Sequence, residues 1–459
     1  MFGTSGIRGP VGETVTADLA VSLAHALAPG VDRVVLARDA RESGRALSRA
    51  LAGGLLECGV DVIDGGVCAT PSLARAVAPQ DADAGVMVTA SHNPPPDNGI
   101  KLWRPDGQAF TPTMLEPIED RLAGEQRSHA AWDDHGEYRR WDGATDAHVD
   151  ALVAAGRQWG GEGDDGDRTP VTPLADLPVA VDVGNGTGAA TAEALSALGA
   201  SVTTLNAQPD GHFPGRPSEP TAEHCADLRR FVAAGPARLG LAHDGDADRL
   251  LAVDENGEFV GGDALLGIFA REMAGPGDRV AVPVDTSQAV ADALAELDAD
   301  VTHTPVGDVH VAAATREPEV VFGGEPSGAW IFPEETRCPD GPLAAVRLAT
   351  LVRERSLADR VAALPTYPIR RDAMEVADKR AVAEAVAERA RERHESVDEL
   401  DGVRIDLAEG WILIRPSGTE PVVRLTAEAR DATTADAYLA DARELLEGAI
   451  AAQASNGPE

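Results

Sequence analysis

A weak threefold repeat runs along the chain, and it limits the possible fold more than any other feature. In each copy, an apolar strand that ends in aspartate precedes an Ala/Leu-rich helical stretch, a short turn and a second strand. Such a strand–helix–strand unit predicts parallel strands joined by a right-handed crossover. We therefore expect three similar α/β domains with mixed or parallel sheets. The first strands are predicted at 34–39, 179–182 and 280–285, and the second strands begin at Gly59, Gly199 and Asp298.

The segment after the third copy has a different pattern. Beyond a Pro-flanked stretch at 364–367, residues 377–394 have the spacing of a charged amphipathic helix. Residues 403–424 are predicted as strand, loop and strand, and residues 431–452 as a second helix. This pattern predicts a smaller C-terminal α+β domain. An exposed, glycine-rich loop is predicted at 160–173, and the domains are placed at 1–145, 146–255, 256–365 and 366–459.

The charge balance is strongly acidic, because 76 Asp and Glu residues stand against 40 Lys and Arg residues and give a net charge of −36. This charge argues against nucleic acid as a partner, since its phosphates would be repelled. Intrinsic disorder is disfavoured, because 43% of the residues are hydrophobic and follow regular periods. We interpret the charge as an adaptation to a high-salt cytosol, in which salt screens the surface carboxylates. We therefore expect a halophilic source.

Membrane, disulfide-rich and zinc-binding classes are also disfavoured. No apolar run reaches the ~18 residues that a membrane span needs, and the N-terminal segment lacks the layout of a signal peptide. We therefore expect a cytoplasmic protein without a membrane partner. The four cysteines are scattered without a CxxC pair, which argues against both a disulfide framework and a zinc site.

The most informative motif, here named the Ser91 loop, is Thr-Ala-Ser-His-Asn-Pro-Pro-Pro-Asp-Asn-Gly-Ile-Lys at 89–101. The apolar run at 85–88 is predicted as a buried strand, and the prolines can continue neither a strand nor a helix. Ser91 therefore lies on a stiff loop at the C-terminal end of a strand, where ligands bind in open α/β sheets. With His92 beside it and Lys101 nearby, Ser91 is a candidate covalent phosphoryl carrier. The alternative is an ordinary Ser-Asn turn.

Three aspartates, Asp244, Asp246 and Asp248, alternate with small residues directly after a strand predicted at 239–242. On a tightly turned loop this spacing lets the carboxylates approach one point, which suits a hard cation such as Mg²⁺. Calcium loops share the Asp-rich opening, but the later glutamate and helix–loop–helix frame of such loops are missing. The alternative is an acidic surface turn, although Arg249 follows directly. We name residues 244–249 the metal loop.

Two further loops carry groups suited to a sugar phosphate. The sugar loop, residues 323–328, follows a strand predicted at 320–322, and its Glu325 and Ser327 can grip sugar hydroxyls. The phosphate loop, residues 415–424, combines a glycine backbone, hydroxyls and guanidinium groups, all of which bind anions. Its candidate ligands are Arg415, Ser417, Gly418, Thr419 and Arg424.

The Ser91, metal and sugar loops follow equivalent strands of the three copies, so we expect them to converge on one site. Taken with the phosphate loop, they resemble the motifs of the α-D-phosphohexomutase family, which includes phosphoglucomutases, phosphomannomutases and phosphoglucosamine mutases. The resemblance implies four domains around a central cleft and a small-molecule sugar phosphate as substrate, and we expect a monomer or a homodimer. The matching motifs lie, in chain order, at 3–9, 89–94, 244–249, 324–328 and 415–421.

By this resemblance, Ser91 carries the phosphoryl group and shares one Mg²⁺ with Asp244, Asp246 and Asp248. The implied reaction interconverts hexose 1-phosphate and hexose 6-phosphate through a hexose 1,6-bisphosphate, which also acts as activator. The bisphosphate turns end for end between two phosphoryl transfers, for which positioning and charge neutralisation matter most.

The resemblance also implies roles for the neighbouring residues. Arg8 and Lys101 lie beside the transferring phosphoryl group, with His92 as a further catalytic candidate. We expect Arg8 and Mg²⁺ to lower the pKa of Lys101, so that its ammonium assists proton transfer. The substrate contacts are Arg249, Glu325 and Ser327 for the sugar, and Arg415, Ser417, Gly418, Thr419 and Arg424 for the substrate's own phosphate.

The motifs predict the sugar of the substrate less clearly than the reaction. Glucose and mannose phosphates are our main expectation, and phosphoglucosamine mutase, with the same chemistry, is the alternative. Residues 306–308 resemble the glucosamine enzymes, whereas Thr89 favours the other branch, and Ala329 stands where many relatives have histidine. Two remote alternatives are a Mg²⁺-dependent phosphatase with Asp244 as nucleophile and a non-enzymatic sugar-phosphate sensor.

Overall fold

The computed structural model describes residues 3, 6–160, 172–376, 378–417 and 422–456, with side chains through 453. Most of the exposed loop predicted at 160–173 therefore lies outside the described residues. The chain divides into two compact units. The first consists of Met1–Leu265 with Gly307–Ala362, and the second of Leu266–Val306 with Ala363–Glu459.

The first repeat forms a mixed six-stranded sheet in the order β1-β5-β4-β2-β3-β6. Strand β2 pairs in parallel with both β3 and β4, as the strand–helix–strand pattern predicts, whereas β5 runs antiparallel to β4 and β1. The strands are β1 (Ile7–Pro10), β2 (Arg33–Arg38), β3 (Asp61–Val67), β4 (Ala84–Val88), β5 (Asp97–Trp103) and β6 (Tyr138–Arg140). The helices are α1 (Ala17–Leu27), α2 (Gly44–Glu57), α3 (Thr70–Ala76), α4 (Pro112–Ala123) and α5 (Ala144–Trp159), and a 3₁₀ turn spans Ala78–Gln80.

Alternation along β2 explains the layered packing of this repeat. Successive residues of a strand point to opposite faces of its sheet. Val34 and Leu36 belong to one buried cluster with Leu23 of α1 and residues of α2. Val35, on the opposite face, belongs to a second cluster with Leu73 of α3. Helices therefore cover both faces of the sheet, and the core has an α/β/α arrangement.

The second repeat forms a five-stranded sheet in the order β11-β10-β9-β7-β8. Strand β7 pairs in parallel with β8 and β9, while β9 and β10 form an antiparallel hairpin whose turn is the metal loop. The strands are β7 (Pro178–Asp182), β8 (Ser201–Leu205), β9 (Leu239–His243), β10 (Leu250–Val253) and β11 (Phe259–Val260), and the helices are α6 (Ala189–Ala197) and α7 (Ala226–Ala234). The next helix along the chain, α8 (Gly262–Met273), begins in the first unit and ends in the second.

The third repeat contributes to both units. In the second unit, β12 (Arg279–Pro283) pairs in parallel with β13 (Asp300–Thr304), and α9 (Gln288–Ala295) connects them. In the first unit, β14 (Val320–Gly324) and β15 (Trp330–Ile331) form an antiparallel hairpin around the sugar loop. The remaining helices in the first unit are α10 (Asp308–Ala314), α11 (Gly341–Glu354) and α12 (Leu357–Ala362).

The C-terminal segment forms an antiparallel five-stranded sheet in the order β16-β20-β19-β18-β17. Two helices cover it, and their residues Val386 and Leu446 share a buried cluster with Ile412 and Leu425 of the sheet. The strands are β16 (Ile369–Glu375), β17 (Val397–Asp398), β18 (Val403–Leu407), β19 (Gly410–Pro416) and β20 (Val422–Ala429), and the helices are α13 (Lys379–Arg393) and α14 (Ala432–Asn456).

The predicted fold class, three α/β domains followed by a smaller α+β domain, is confirmed. One local prediction was wrong: residues 403–424 contain β18, β19 and the start of β20 rather than two strands. The tight connection between Leu407 and Gly410 carries none of the Asn-Gly or Asp-Gly pairs that usually mark a hairpin. Among the described residues, all four cysteines are unpaired, and no helix has the length and apolarity to cross a membrane.

Candidate active site

Ser91 is fully buried at the point where β4 ends and the Ser91 loop turns back. Its φ of 50° lies in the left-handed region, which a serine adopts only when the surrounding structure holds it there. The Oγ of Ser91 donates to Oδ2 of Asp244 at 2.5 Å and lies 3.5 Å from Oδ1 of Asp248. The predicted phosphoryl carrier and the predicted metal ligands therefore lie together.

The metal loop brings its three carboxylates to one point, as the spacing of its aspartates predicts. One oxygen from each of Asp244, Asp246 and Asp248 lies within 4.8 Å of the other two, and all three residues are buried. The turn depends on Ala247, whose φ of 56° is left-handed. Oδ2 of Asp246 accepts a hydrogen bond from Thr70 at 2.6 Å, but its Oδ1 has no partner among the described residues. Because an unsatisfied buried carboxylate oxygen is costly, this donor set fits a hard divalent cation.

The pKa shifts in the metal loop also favour a bound cation. Burial, with repulsion from Asp248 and Asp246, raises the pKa of Asp244 well above its usual range. Burial would also raise the pKa of Asp248, but the cations Lys101 and Arg249 outweigh it and hold that pKa below its usual range. Asp244 is thus repelled by two neighbouring carboxylates, and a bound cation would relieve this repulsion.

Lys101 and Arg8 lie beside the trio, as predicted. Nζ of Lys101 donates to Oδ2 of Asp248 at 2.8 Å and lies 4.0 Å from Oδ2 of Asp246. Burial and, as predicted, Arg8 lower the pKa of Lys101, but nearby carboxylates, above all that of Asp248, outweigh both and raise it, so the predicted net direction is wrong. The reason is the direct ion pair with Asp248. Arg8 is opposite Gly99 in the sheet, and its buried Nε has no partner in the part of the chain that the structure describes.

His92 has its Nδ1 3.4 Å from Oγ of Ser91. Burial, with the nearby Arg249 and Arg8, lowers the pKa of His92 to about 2. The imidazole is therefore neutral at ordinary pH. It can accept a hydrogen bond from Ser91, but it is too weak a base to take the hydroxyl proton and adds no positive charge to the site.

The sugar loop joins the metal loop directly. The backbone N–H of Leu250, next to Arg249, donates to the carbonyl of Gly328 at 2.9 Å. The carboxylate of Glu325 accepts from the backbone N–H of Gly307 at 2.8 Å and from Oγ of Ser327 at 3.1 Å. The three loops of the first unit thus converge as expected, with Glu325 and Ser327 on a single turn.

The phosphate loop belongs to the second unit. Arg415 of β19 is directly opposite Arg424 of β20, so the two guanidinium groups start from neighbouring backbone positions. Nη1 of Arg415 lies 3.1 Å from Oδ2 of Asp401, and the carbonyl of Ser417 accepts from Nζ of Lys379 at 2.6 Å. Of the other predicted ligands, Gly418 and Thr419 lie outside the described residues.

Family models match the chain in order along nearly its whole length. They describe phosphoglucomutase/phosphomannomutase α/β/α domains I, II and III and the C-terminal domain of the same enzymes. The matched residues are 1–129, 168–257, 261–367 and 372–445. The chain belongs to the α-D-phosphohexomutase family.

This phosphohexomutase is similar to curated archaeal proteins named probable phosphoglucosamine mutase. It is 45% identical to one from Methanopyrus kandleri over 438 residues, or 93% of each chain. It is 42% identical to one from Methanosarcina acetivorans over 436 residues, or 94% of this chain and 95% of the relative. A solved phosphoglucomutase/phosphomannomutase family protein from Burkholderia thailandensis matches with a TM-score of 0.83 and 29% identity, over 98% of both chains. The protein is therefore an isomerase that acts as an intramolecular phosphotransferase.

Sequence reasoning missed the residues that hold the phosphohexomutase loops in place. Arg41, which is fully buried, donates to the carbonyl of Ser91 at 2.8 Å. Thr89 Oγ1 accepts from the backbone N–H of Ser91 at 2.9 Å and donates to Asp39 at 2.7 Å. Thr70, on α3, reaches Asp246. The one available signal was the aspartate that ends the first strand of each repeat.

Proposed function

We propose that this phosphohexomutase interconverts glucosamine 1-phosphate and glucosamine 6-phosphate through phospho-Ser91. The observation that carries the chemistry is the 2.5 Å contact between Oγ of Ser91 and a buried cluster of three carboxylates. The similarity to probable phosphoglucosamine mutases supports the amino sugar. It favours our alternative over glucose and mannose phosphates, which were the main expectation from the motifs.

The proposed reaction has two phosphoryl transfers in opposite directions. In the first, the free hydroxyl of the sugar phosphate attacks the phosphorus on Ser91; the bond from phosphorus to the sugar oxygen forms, the bond to Oγ of Ser91 breaks, and the hydroxyl proton ends on Oγ. The product is a hexosamine 1,6-bisphosphate. After this intermediate has turned end for end, Oγ of Ser91 attacks its other phosphorus. The bond from that phosphorus to Oγ forms, its bond to the sugar oxygen breaks, and the proton of Ser91 ends on that oxygen, which restores phospho-Ser91 and releases the isomeric sugar phosphate.

The metal loop would hold one Mg²⁺ through Asp244, Asp246 and Asp248, together with the phosphate on Ser91. The unpartnered Oδ1 of Asp246 and the raised pKa of Asp244 support this ligand set. When bound, Mg²⁺ supplies charge neutralisation at the transferring phosphoryl group.

Proton transfer in the proposed mechanism falls to Lys101. Its ammonium is protonated while paired with Asp248, so it can give a proton to the oxygen that leaves phosphorus. Once it has given up that proton, the neutral amine can take the proton of the attacking hydroxyl, which restores the ammonium. Arg8 would hold the phosphoryl oxygens, and the neutral His92 would accept a hydrogen bond near Ser91.

The remaining predicted ligands would bind the substrate. Glu325 and Ser327 would accept and donate hydrogen bonds at adjacent sugar hydroxyls, beside Arg249. The phosphate loop would hold the phosphate that is not being transferred. The opposed positions of Arg415 and Arg424 on β19 and β20 support this role.

A coupled assay with glucosamine 1-phosphate, glucose 1-phosphate and mannose 1-phosphate tests the proposal. Each sugar phosphate is supplied with Mg²⁺ and a trace of hexose 1,6-bisphosphate, and the Ser91→Ala variant serves as the blank. We expect kcat/KM to be at least about tenfold higher for glucosamine 1-phosphate. A preference for glucose or mannose 1-phosphate would overturn the sugar assignment but leave the mutase. Release of inorganic phosphate at the same rate as substrate loss would instead indicate a phosphatase.

A further inference from the structure

The first two repeats each contain a buried arginine paired with the aspartate that follows or ends the first strand. In the first repeat, Nε of Arg41 donates to Oδ2 of Asp39 at 3.0 Å. In the second, Nε of Arg216 donates to Oδ2 of Asp182 at 2.7 Å. Both ion pairs are almost inaccessible to solvent. A buried Arg–Asp ion pair thus lies beside the Ser91 loop, and a second one lies beside the metal loop.

Both terminal nitrogens of the Arg41 guanidinium group bind backbone carbonyls of the Ser91 loop. Its Nη2 donates to the carbonyls of Ser91 at 2.8 Å and Asn93 at 2.6 Å. Its Nη1 donates to the carbonyls of Pro94 at 2.7 Å and Asp97 at 3.0 Å. With the bond from Nε to Asp39, the five N–H groups of the guanidinium match five acceptors. A lysine ammonium has only three N–H groups and cannot reproduce this fork.

Arg216 makes similar contacts to backbone carbonyls beside the metal loop. Its Nη2 donates to the carbonyl of His243 at 2.6 Å, one residue before Asp244. Its Nη1 donates to the carbonyl of Pro217 at 3.0 Å, which fixes the start of the segment that carries Ser218. Oγ of Ser218 then donates to the carbonyl of Ser91 at 2.8 Å.

We name the contacts of Arg41 the first clamp and those of Arg216 and Ser218 the second clamp. The two clamps meet on one atom, the carbonyl oxygen of Ser91. It accepts from Nη2 of Arg41 and from Oγ of Ser218, each at 2.8 Å. The fit around this oxygen is tight, because a Cβ added to Gly245 would lie 2.7 Å from it. Ser218 and Arg216 thus connect the backbone of the Ser91 loop to the backbone of the metal loop.

Ionisation of Asp39 in the first clamp has a cost in stability. Burial raises the pKa of Asp39 to about 6 in spite of Arg41, so keeping this carboxylate ionised at neutral pH costs the folded state free energy. Buried ion pairs are in general weak evidence for stability. The left-handed backbone of Ser91 is a further cost that the contacts of the loop must offset.

We propose that Arg41 and Arg216, with Ser218, are positioning residues that fix the distance between the hydroxyl of Ser91 and the metal carboxylates. The inference rests on the proposed function, since a fixed distance matters for a serine that must give and regain a phosphoryl group. Neither arginine touches the reacting atoms. Each acts through the backbone of the loop that it holds.

The test is Arg41→Lys, with Arg404→Lys as a matched control. Arg404 is also buried, lies 2.9 Å from a carboxylate two residues away, Asp406, and donates to one backbone carbonyl, but it belongs to the second unit. We expect kcat of Arg41→Lys to fall about 100-fold, because a small misplacement of reacting groups has that effect. KM should stay within about twofold, since ground-state binding is unchanged. Arg404→Lys should also lower the melting temperature, but it should leave kcat within about threefold of the wild-type value.

A second readout does not depend on which sugar is the substrate. Purified dephosphorylated protein is mixed with glucose 1,6-bisphosphate and Mg²⁺, and intact-mass spectrometry follows phosphate addition to Ser91. Arg41→Lys should slow this addition about as much as it lowers kcat. If the wild-type protein takes up phosphate but isomerises none of the sugar phosphates, the proposed function is wrong. The rate of phosphate addition to Ser91 in Arg41→Lys then tests the positioning inference by itself.

A folded Arg41→Lys variant with wild-type kcat and wild-type phosphate uptake would overturn the inference, as would equal losses of kcat in Arg41→Lys and Arg404→Lys. Where Arg41→Lys does not fold, Ser218→Ala decides, because it removes only one of the two donors to the Ser91 carbonyl. We expect its kcat to fall about tenfold at unchanged KM. Wild-type kcat in Ser218→Ala would then overturn the inference.

Discussion

Oγ of Ser91 donates a hydrogen bond to Oδ2 of Asp244 at 2.5 Å, although the two residues are 153 positions apart in the chain. They come from two different repeats, each at the end of a central strand. The duplicated architecture therefore has a chemical consequence, since equivalent strand ends deliver a hydroxyl and a carboxylate cluster to one point. In this chain, the hydroxyl comes from the first repeat and the carboxylate cluster from the second.

Removing one carboxylate of the trio should weaken Mg²⁺ binding and also relieve repulsion. For Asp246→Asn, we expect the Mg²⁺ concentration for half-maximal activity to rise at least about tenfold. Without Mg²⁺, in EDTA, the melting temperature should equal or exceed that of the wild type, because Asp246 contributes to the repulsion that raises the pKa of Asp244. Asp254→Asn, at a buried aspartate outside the trio, is the control. Unchanged Mg²⁺ dependence in Asp246→Asn would place the metal elsewhere.

Lys101→Arg separates charge from proton transfer. Arginine keeps the positive charge opposite Asp248 but does not give up a proton at accessible pH. We expect a fall in kcat of about 100-fold with little change in KM, whereas Lys101→Met should lose both kcat and stability because Asp248 is left unpaired. Wild-type turnover in Lys101→Arg would reduce the role of Lys101 to that of a charge.

Much of this site could be predicted from the sequence, because its loops follow predicted strands and carry residues of distinctive chemistry. Local sequence patterns and the repeat were enough to assign Ser91, the three aspartates of the metal loop and Glu325 to one site. The supporting residues could not be found this way, since Arg41 and Thr70 act through contacts across the fold. The direction of the Lys101 pKa was also wrong, because spacing says nothing of its 2.8 Å bond to Asp248.

Truncation of the phosphate loop should affect binding more than chemistry. We expect Arg415→Ala to raise KM for the sugar phosphate about tenfold or more and to change kcat less, since a bidentate guanidinium would hold the phosphate that does not react. Arg380→Ala, at an exposed arginine of the same unit that pairs with Glu384, should change neither constant. A loss confined to kcat in Arg415→Ala would remove the phosphate loop from substrate binding.

The charge of −36 predicts a dependence on salt. In dilute buffer the repulsion among surface carboxylates is unscreened, so stability and activity should fall as KCl decreases below about 1 M. Differential scanning calorimetry across a KCl series measures this. A melting temperature that is constant from dilute to molar KCl would contradict the interpretation of the acidic surface as a high-salt adaptation.

The central claim is that Ser91 carries the phosphoryl group, and the most direct measurement is the mass and site of phosphate on the protein after incubation with glucose 1,6-bisphosphate and Mg²⁺. We predict one phosphate per chain, mapped to Ser91 by peptide fragmentation and removed again by excess glucosamine 6-phosphate. In the Ser91→Ala variant, which should melt at nearly the wild-type temperature, we predict no phosphate and a mutase turnover lower by orders of magnitude. Phosphate found on another residue, or near-normal turnover in Ser91→Ala, would contradict the account.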